Sequence, residues 1–230
     1  SDIGNRVLNY AIKKGIKVFS ETSLKKIKKI AKKTFIFTNK KTIKTDLLIY
    51  AIGRTPNVKS LNLKNTKIIL DKNCAIKVNK NSRSKDKSVY AIGDVTNRKN
   101  LTPVAIREAV ILCNFLNGIK NNLKLDYNKV ASAIFTQPEV GFVGYGENDL
   151  KKLNIKYKIL KTEFNPLKYS FQKNKKSKVF IKIMYDPRSE KVLGIIYIGE
   201  SAAEIIQSLA IVFQKNLYLN DLKQTIPVHP

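Results

Sequence analysis

Residues 89–118 read VYAIGDVTNRKNLTPVAIREAVILCNFLNG, and this stretch decides the fold. Residues 89–92 are apolar and β-prone, which predicts a short buried strand. It breaks at Gly93, where a missing side chain lets another group come close to the backbone. Asp94 follows at once, a carboxylate at a strand tip that can accept hydrogen bonds from ligand hydroxyls. After a polar loop, Thr102 and Pro103 predict a helix start: a hydroxyl to cap free amides, then a ring that needs none. Ala105, Ile106, Ala109, Val110, Leu112, Cys113 and Leu116 recur at helical spacing, so the helix is expected to bury a broad face and to end at Gly118. Free amides and the positive end of its macrodipole favour partial negative charge at its start. A strand-tip carboxylate beside such a helix start suits a cofactor with hydroxyls and an electron-rich carbonyl edge.

Composition bounds the rest. A chain of 230 residues can bury a sizeable core in one or two domains. No apolar run is long enough to span a bilayer and no charged-then-apolar leader precedes a cleavage site, so a soluble chain with no membrane partner is expected. The two cysteines, Cys74 and Cys113, lack CxxC or CxxxxC spacing, which argues against a disulfide framework and against a cysteine metal site. Reduced thiols fit a cytoplasmic location. The net charge of +27, from 44 Lys plus Arg against 17 acidic residues, favours anionic ligands and non-specific polyanion binding. The excess is mostly Lys accompanied by Asn and Ile, scattered along the chain with no aromatic-basic motif of an RNA or DNA reader, so no specific nucleic-acid partner is expected.

The segment AIGDVTNRKNLTPVA resembles the second FAD-binding motif of the pyridine-nucleotide disulfide oxidoreductases, in the form found in glutathione reductases. The resemblance implies that Asp94 holds the ribitol chain of FAD and that the helix beginning at Thr102 points its N-terminus at the flavin pyrimidine. Further matches follow in the family's order. The run AIGRTPN at 51–57 is similar to the signature where the chain leaves the NADPH domain, which implies that Gly53 lies against NADPH. Asn100 aligns with another NADPH-side position. ASAIFTQPEVGFVG, FNPLKYSF, EKVLGIIYIG, AEIIQSLAIVFQ and TIPVHP together resemble an interface domain, with Ala133 where a backbone carbonyl binds the nicotinamide amide. His229, the single histidine, matches the family's catalytic His-Pro. An imidazole titrating near neutral pH can protonate the thiolate that leaves when a disulfide is reduced.

The implied fold class is α/β plus α+β, part of a flavoprotein with two dinucleotide-binding domains and a C-terminal mixed-sheet interface domain. The expected division is 1–48 for the end of the NADPH domain, 49–125 for the second FAD-domain segment and 126–230 for the interface domain. The glycine-rich turns and the redox CxxxxC of the family are not in this sequence, so the chain is expected to be the C-terminal portion of a longer NADPH-dependent glutathione-disulfide reductase. Because the matching histidine acts across subunits, a homodimer is implied. Val110 stands where some members carry a glutathione-contacting Arg, which leaves trypanothione-reductase-like or mercuric-reductase-like specificity open. The alternative outside the enzyme class is a catalytically inert basic nucleic-acid-binding protein on the same scaffold.

Local patterns set further expectations. Residues 2–14 carry Ile3, Val7, Tyr10 and Ala11 on one helical face, and 16–19 are strand-like. Residues 24–33 fit either a basic helix or the first strand of a hairpin, whereas 35–38 and 43–51 read as strands. Strands are expected at 76–78, 130–135 and 140–143, with breaks at Pro138 and Gly141, and residues 179–185 are expected to pair with 192–198. Helices are expected at 147–153 and 202–215, and a turn at 164–167.

Overall fold

The computed structural model describes residues 2–119, 123, 125–169 and 178–228. It divides into two compact units, one of residues 21–127 and one of residues 1–20 with 128–230.

In the first unit, β1 (Leu24–Ile30), β2 (Lys33–Thr38) and β3 (Thr42–Thr45) form an antiparallel meander. The open choice at 24–33 thus resolves to a strand, because Ile27 can line up with Ile36 and Ile43 only on a pleated sheet. A small core of Val58, Ile76 and Ala91 follows, wrapped by Leu63, Ile68, Leu70, Val78 and Val95. Two expected strands are absent as ladders, and a third is cut short. Residues 89–92 make only the Arg83–Tyr90 bridge, and 76–78 only the Leu70–Ile76 bridge. The strand expected over 43–51 stops at Thr45, leaving Leu47, Ile49 and Ile52 73, 76 and 88% exposed. A strand written for burial on both faces needs neighbours on both edges. Among the described residues of this unit, no strand pairs with 47–52.

The unit ends in α2 (Thr102–Leu116). Its C-terminus is the expected one: Gly118 takes φ +66°, its amide bonds Phe115 O at 3.3 Å, and Ile119 N bonds Asn114 O at 2.9 Å, the paired bonds of a Schellman motif. Its start is shifted by one residue. Leu101, extended at φ −136°, is the N-cap and no side chain caps the helix, so Thr102 is already helical and its hydroxyl does not serve as the cap. The expected broad burial also fails. Only Val104 and Glu108 are buried, whereas Ile106, Val110, Phe115 and Leu116 are exposed. A helix apolar nearly all round is built to be covered on several sides, and this unit covers one.

In the second unit, β4 (Ser132–Ile134), β5 (Glu139–Gly144), β6 (Lys158–Phe164), β7 (Val179–Tyr185) and β8 (Val192–Gly199) make a sheet of order β4-β5-β8-β7-β6. Every pairing in it is antiparallel. The expected pairing of 179–185 with 192–198 is present. The near-continuous apolar runs VFIKIMY and VLGIIYIG are those of strands covered on both faces. On one face α4 (Ala202–Gln214) buries Ile206, Ala210 and Phe213 with Val143, Val192 and Ile195. On the other, α1 (Asp2–Lys13) sets Ile3 and Val7 against Val140, Phe180 and Ile198, with the Arg6 guanidinium 3.8 Å over the Phe180 ring and paired to Glu163. The strand expected at 16–19 is not formed, and Ile16, Val18 and Phe19 are exposed. Helix α3 (Glu147–Lys152) brings Glu147 to Lys182, an ammonium buried in the middle of β7. Helix α5 (Leu219–Gln224) closes the described chain.

Gly141 does not break its strand. It sits inside β5 where α4 crosses, and a Cβ there would lie 2.5 Å from Ala202 O and 2.8 Å from Ile206 Cβ. Backbone cannot step aside for a methyl group. Gly141→Ala is therefore expected to destabilise this unit by about 1–3 kcal/mol. A chemical-denaturation midpoint equal to that of the parent would contradict this packing.

Candidate functional site

The segment after Ala91 folds as a 3₁₀ turn over Gly93–Thr96. Gly93 holds φ +69°, and a Cβ there would lie 3.1 Å from Ala105 Cβ, so glycine lets the turn rest against the first turn of α2. Thr96 Oγ1 donates to Gly93 O at 2.8 Å, and Asn97 N donates to Asp94 O at 3.0 Å. The backbone of Asp94 is thus fixed while its carboxylate stays 57% exposed. That carboxylate faces a cleft of about 380 Å³ lined by Arg54, Thr55, Pro56, Asn57, Asp94, Val95 and Asn100. Arg54 Nη1 lies 3.9 Å from Asp94 Oδ2, a long, exposed pair that leaves the carboxylate free for other donors.

A buried acid clamps the turn from below. Glu108, 4% exposed, accepts from Gly93 N and from Tyr127 OH, each at 2.6 Å, and is ion-paired with Arg98 Nη2 at 3.1 Å. Arg98 also donates to Thr96 Oγ1 and Ser82 Oγ, each at 3.2 Å, and its guanidinium lies 5.5 Å from the Tyr127 ring centroid. One carboxylate on α2 therefore ties together the turn, the loop after it and the segment beyond the helix. Sequence reasoning missed it. The available signal was an acid in mid-helix among Val104, Ala105, Ile106, Ala109 and Val110, where burial demands partners.

Burial first, and then the hydrogen bond to Glu108, pushes the Tyr127 phenol up to about 12, against the opposing pull of Arg98. A phenol raised above its ordinary value near 10 stabilises the fold fully below about pH 10, and that contribution is lost as pH rises through about 12. Tyr127→Phe should therefore flatten the fall of stability across that alkaline window. Identical slopes in parent and variant would contradict the coupling.

The other predicted positions divide between the units. Asn100 lines the Asp94 cleft and donates from Nδ2 to Asn97 Oδ1 at 3.1 Å. Gly53, at φ +124°, precedes Arg54 on the cleft rim and has open space where a Cβ would stand. Thr102 is exposed on the first turn of α2 but is not among the residues lining this cleft. Ala133 belongs to the second unit, paired with Gly141 between β4 and β5. His229 lies outside the described residues. Among the described residues, no cluster of His, Cys, Asp and Glu could hold a metal ion, and no helix is long and apolar enough to cross a membrane.

Two family models match in sequence order. Residues 1–109 match the pyridine nucleotide-disulphide oxidoreductase model, and 130–230 match the pyridine nucleotide-disulphide oxidoreductase dimerisation domain. The chain belongs to the pyridine nucleotide-disulphide oxidoreductases. Trypanothione reductase of Trypanosoma congolense is 37% identical over 194 residues, which cover 84% of this chain and 39% of that protein. Glutathione reductase of Burkholderia cepacia is 34% identical over 188 residues, covering 82% and 41%. The chain thus spans less than half the length of these curated relatives. The fold is shared with the HOCl-induced flavoprotein disulfide reductase RclA of Escherichia coli, at a TM-score of 0.85 and 19% identity over 100% of this chain and 52% of that one. LpdA of Mycobacterium tuberculosis gives a TM-score of 0.81 at 22% identity over 96% and 48%. FAD and NADPH are the cofactors of this family. The turn suits a flavin's polyhydroxyl chain: it offers an exposed carboxylate on a fixed backbone, an open cleft before it, and a helix start nearby that no side chain caps.

Proposed function

We propose that the full-length polypeptide containing this chain is a cytoplasmic, homodimeric, FAD-dependent oxidoreductase that uses NADPH to reduce glutathione disulfide. The observation that carries the reading is the Gly93–Thr96 turn, held by Glu108, with Asp94 the one carboxylate among the residues lining the cleft. FAD supplies the electron chemistry when bound, and the protein positions it and tunes its charge. Asp94 would accept hydrogen bonds from the ribitol hydroxyls, and the positive end of α2 at Thr102 would favour the electron-rich carbonyl edge. Gly53, Asn100 and the Ala133 carbonyl serve the NADPH side. His229 protonates the departing thiolate across the subunit boundary.

Support for the longer protein lies in the surfaces this chain leaves bare. The exposed run 47–52 and the outer face of α2 are apolar enough to belong in a core, as expected if the dinucleotide-binding sheets are completed by other segments. On α4, exposed Ile211 and Val212 support an isologous subunit contact. The domain division 1–48, 49–125 and 126–230 belongs to this reading.

Substrate choice is tested on the purified full-length polypeptide by following NADPH oxidation with glutathione disulfide, trypanothione disulfide or mercuric ion as acceptor. The expected result is turnover with glutathione disulfide at the highest kcat/KM. A preference for either other acceptor would replace the substrate while leaving the family intact.

A further inference from the structure

The three-stranded meander carries a surface that the Asp94 cleft does not use. Between residues 24 and 45, nine of 22 residues are lysine and none is acidic. Directly opposed residues of an antiparallel ladder share a face. The pairings Lys28–Phe35–Lys44 and Lys26–Phe37–Thr42 therefore place three lysines and two phenylalanines together on one side of the sheet. The isoleucine row Ile27–Ile36–Ile43 lies on the other side, where Ile27 and Thr34 line a groove with Leu47, Leu48 and Tyr50. The rings are thus sorted away from the side that carries the apolar groove.

On the aromatic side, Phe35 and Phe37 are half-buried and belong to no buried core cluster, and the Lys44 ammonium lies 5.8 Å from the Phe35 ring centroid. Among the described residues, Lys26, Lys28 and Lys44 have no carboxylate partner, whereas Lys33 at the edge is paired with Asp46. Residues two apart on a strand stand about 7 Å from one another, so successive bases of an extended strand can each meet one ring, with phosphates beside the ammonium groups.

We propose that this face binds single-stranded RNA without sequence preference, bases stacking on Phe35 and Phe37 and phosphates pairing with Lys26, Lys28 and Lys44. Single strands are favoured over duplexes because a duplex hides the base faces that the rings would stack on. A membrane surface fits less well, since both rings are half-sunk in a rigid sheet between lysines instead of standing clear of it. The proposal is independent of the reductase reading.

The test is fluorescence anisotropy of the full chain with a labelled oligouridylate of about 12 nucleotides, across a salt series. Binding should weaken as salt rises, with a log–log slope near −2 for three phosphate contacts on a single strand. The double variant Phe35→Leu/Phe37→Leu, which keeps apolar side chains in the sheet, should lose at least about tenfold in affinity at unchanged slope. The triple variant Lys26→Gln/Lys28→Gln/Lys44→Gln should flatten the slope, and an RNA duplex of equal length should compete poorly. Thermal melting of both variants checks that the sheet survives; if the double variant does not melt like the parent, Phe35→Tyr/Phe37→Tyr, which keeps the rings, must bind as the parent does. Unaltered affinity in a folded Leu variant, equal competition by duplex or dextran sulfate, or capture of phosphatidylserine vesicles without RNA binding would each overturn the proposal.

Discussion

Glu108→Ala is expected to cost about 3–5 kcal/mol, because it removes one side of a buried ion pair and takes the acceptor from two hydrogen-bond donors at once. The Gly93 amide, the Tyr127 hydroxyl and the Arg98 guanidinium all converge on that carboxylate. Gly93 is buried, so its amide cannot reach water without opening the turn. The loss should be confined to residues 21–127, and amide hydrogen exchange reads it by position: protection at Gly93 and along the first turns of α2 falls, while β7 and β8 keep theirs. Protection at Gly93 equal to that of the parent would mean that Glu108 is not what holds the turn. Glu108→Gln separates charge from geometry, since the amide keeps one acceptor oxygen for the Gly93 amide but turns a donor toward Arg98.

Asp94→Ala should behave in the opposite way. Its carboxylate is more than half exposed and its one ionic partner is a distant, exposed arginine, so the stability change should stay within about 0.5 kcal/mol. In the full-length polypeptide, the same substitution removes a charged acceptor for ligand hydroxyls, worth roughly tenfold to a hundredfold in FAD affinity. Flavin dissociation followed by fluorescence, alongside a melting curve, measures the two effects on one sample. A variant that retains FAD like the parent would place the hydroxyl contacts elsewhere. Adjacent residues of one turn thus divide the work: Gly93 is held for stability, and Asp94 is left free for binding.

What could be read from the sequence follows from how local each signal is. The Schellman end of α2 depends on Gly118 and its immediate neighbours, and the β7–β8 hairpin on two apolar runs either side of a turn at 186–188, so both were legible. The helix start was misplaced by one residue because Thr102 carries a capping hydroxyl and Leu101 does not, whereas the extended backbone at Leu101 is what sets the boundary. Strand β6 was missed since KILKTEF lies largely exposed at a sheet edge, where apolar content is a poor guide. Gly141 looked like a breaker because the helix that requires its missing side chain comes some 60 residues later, as Ala202 and Ile206. The same distance problem hid Glu108: its donors come from a turn, a loop and a segment beyond the helix. Likewise, the aromatic-basic face has no linear motif, since it exists only once three strands share a register.

Burial on α2 was overestimated for a different physical reason. Its apolar residues point around most of the helix, and in residues 21–127 only the Val104–Glu108 side finds a partner. The pattern describes the environment for which the helix was written, and the exposed faces show how much of that environment this chain supplies.

The central claim is that this chain contributes half of a flavin site, and the most direct measurement is the flavin content of the full-length polypeptide purified without added cofactor. The account predicts near-stoichiometric FAD, released on denaturation and reducible by NADPH while bound. Flavin-free protein that takes up no FAD when it is supplied, yet is folded by hydrogen exchange at Gly93 and α2, would contradict it.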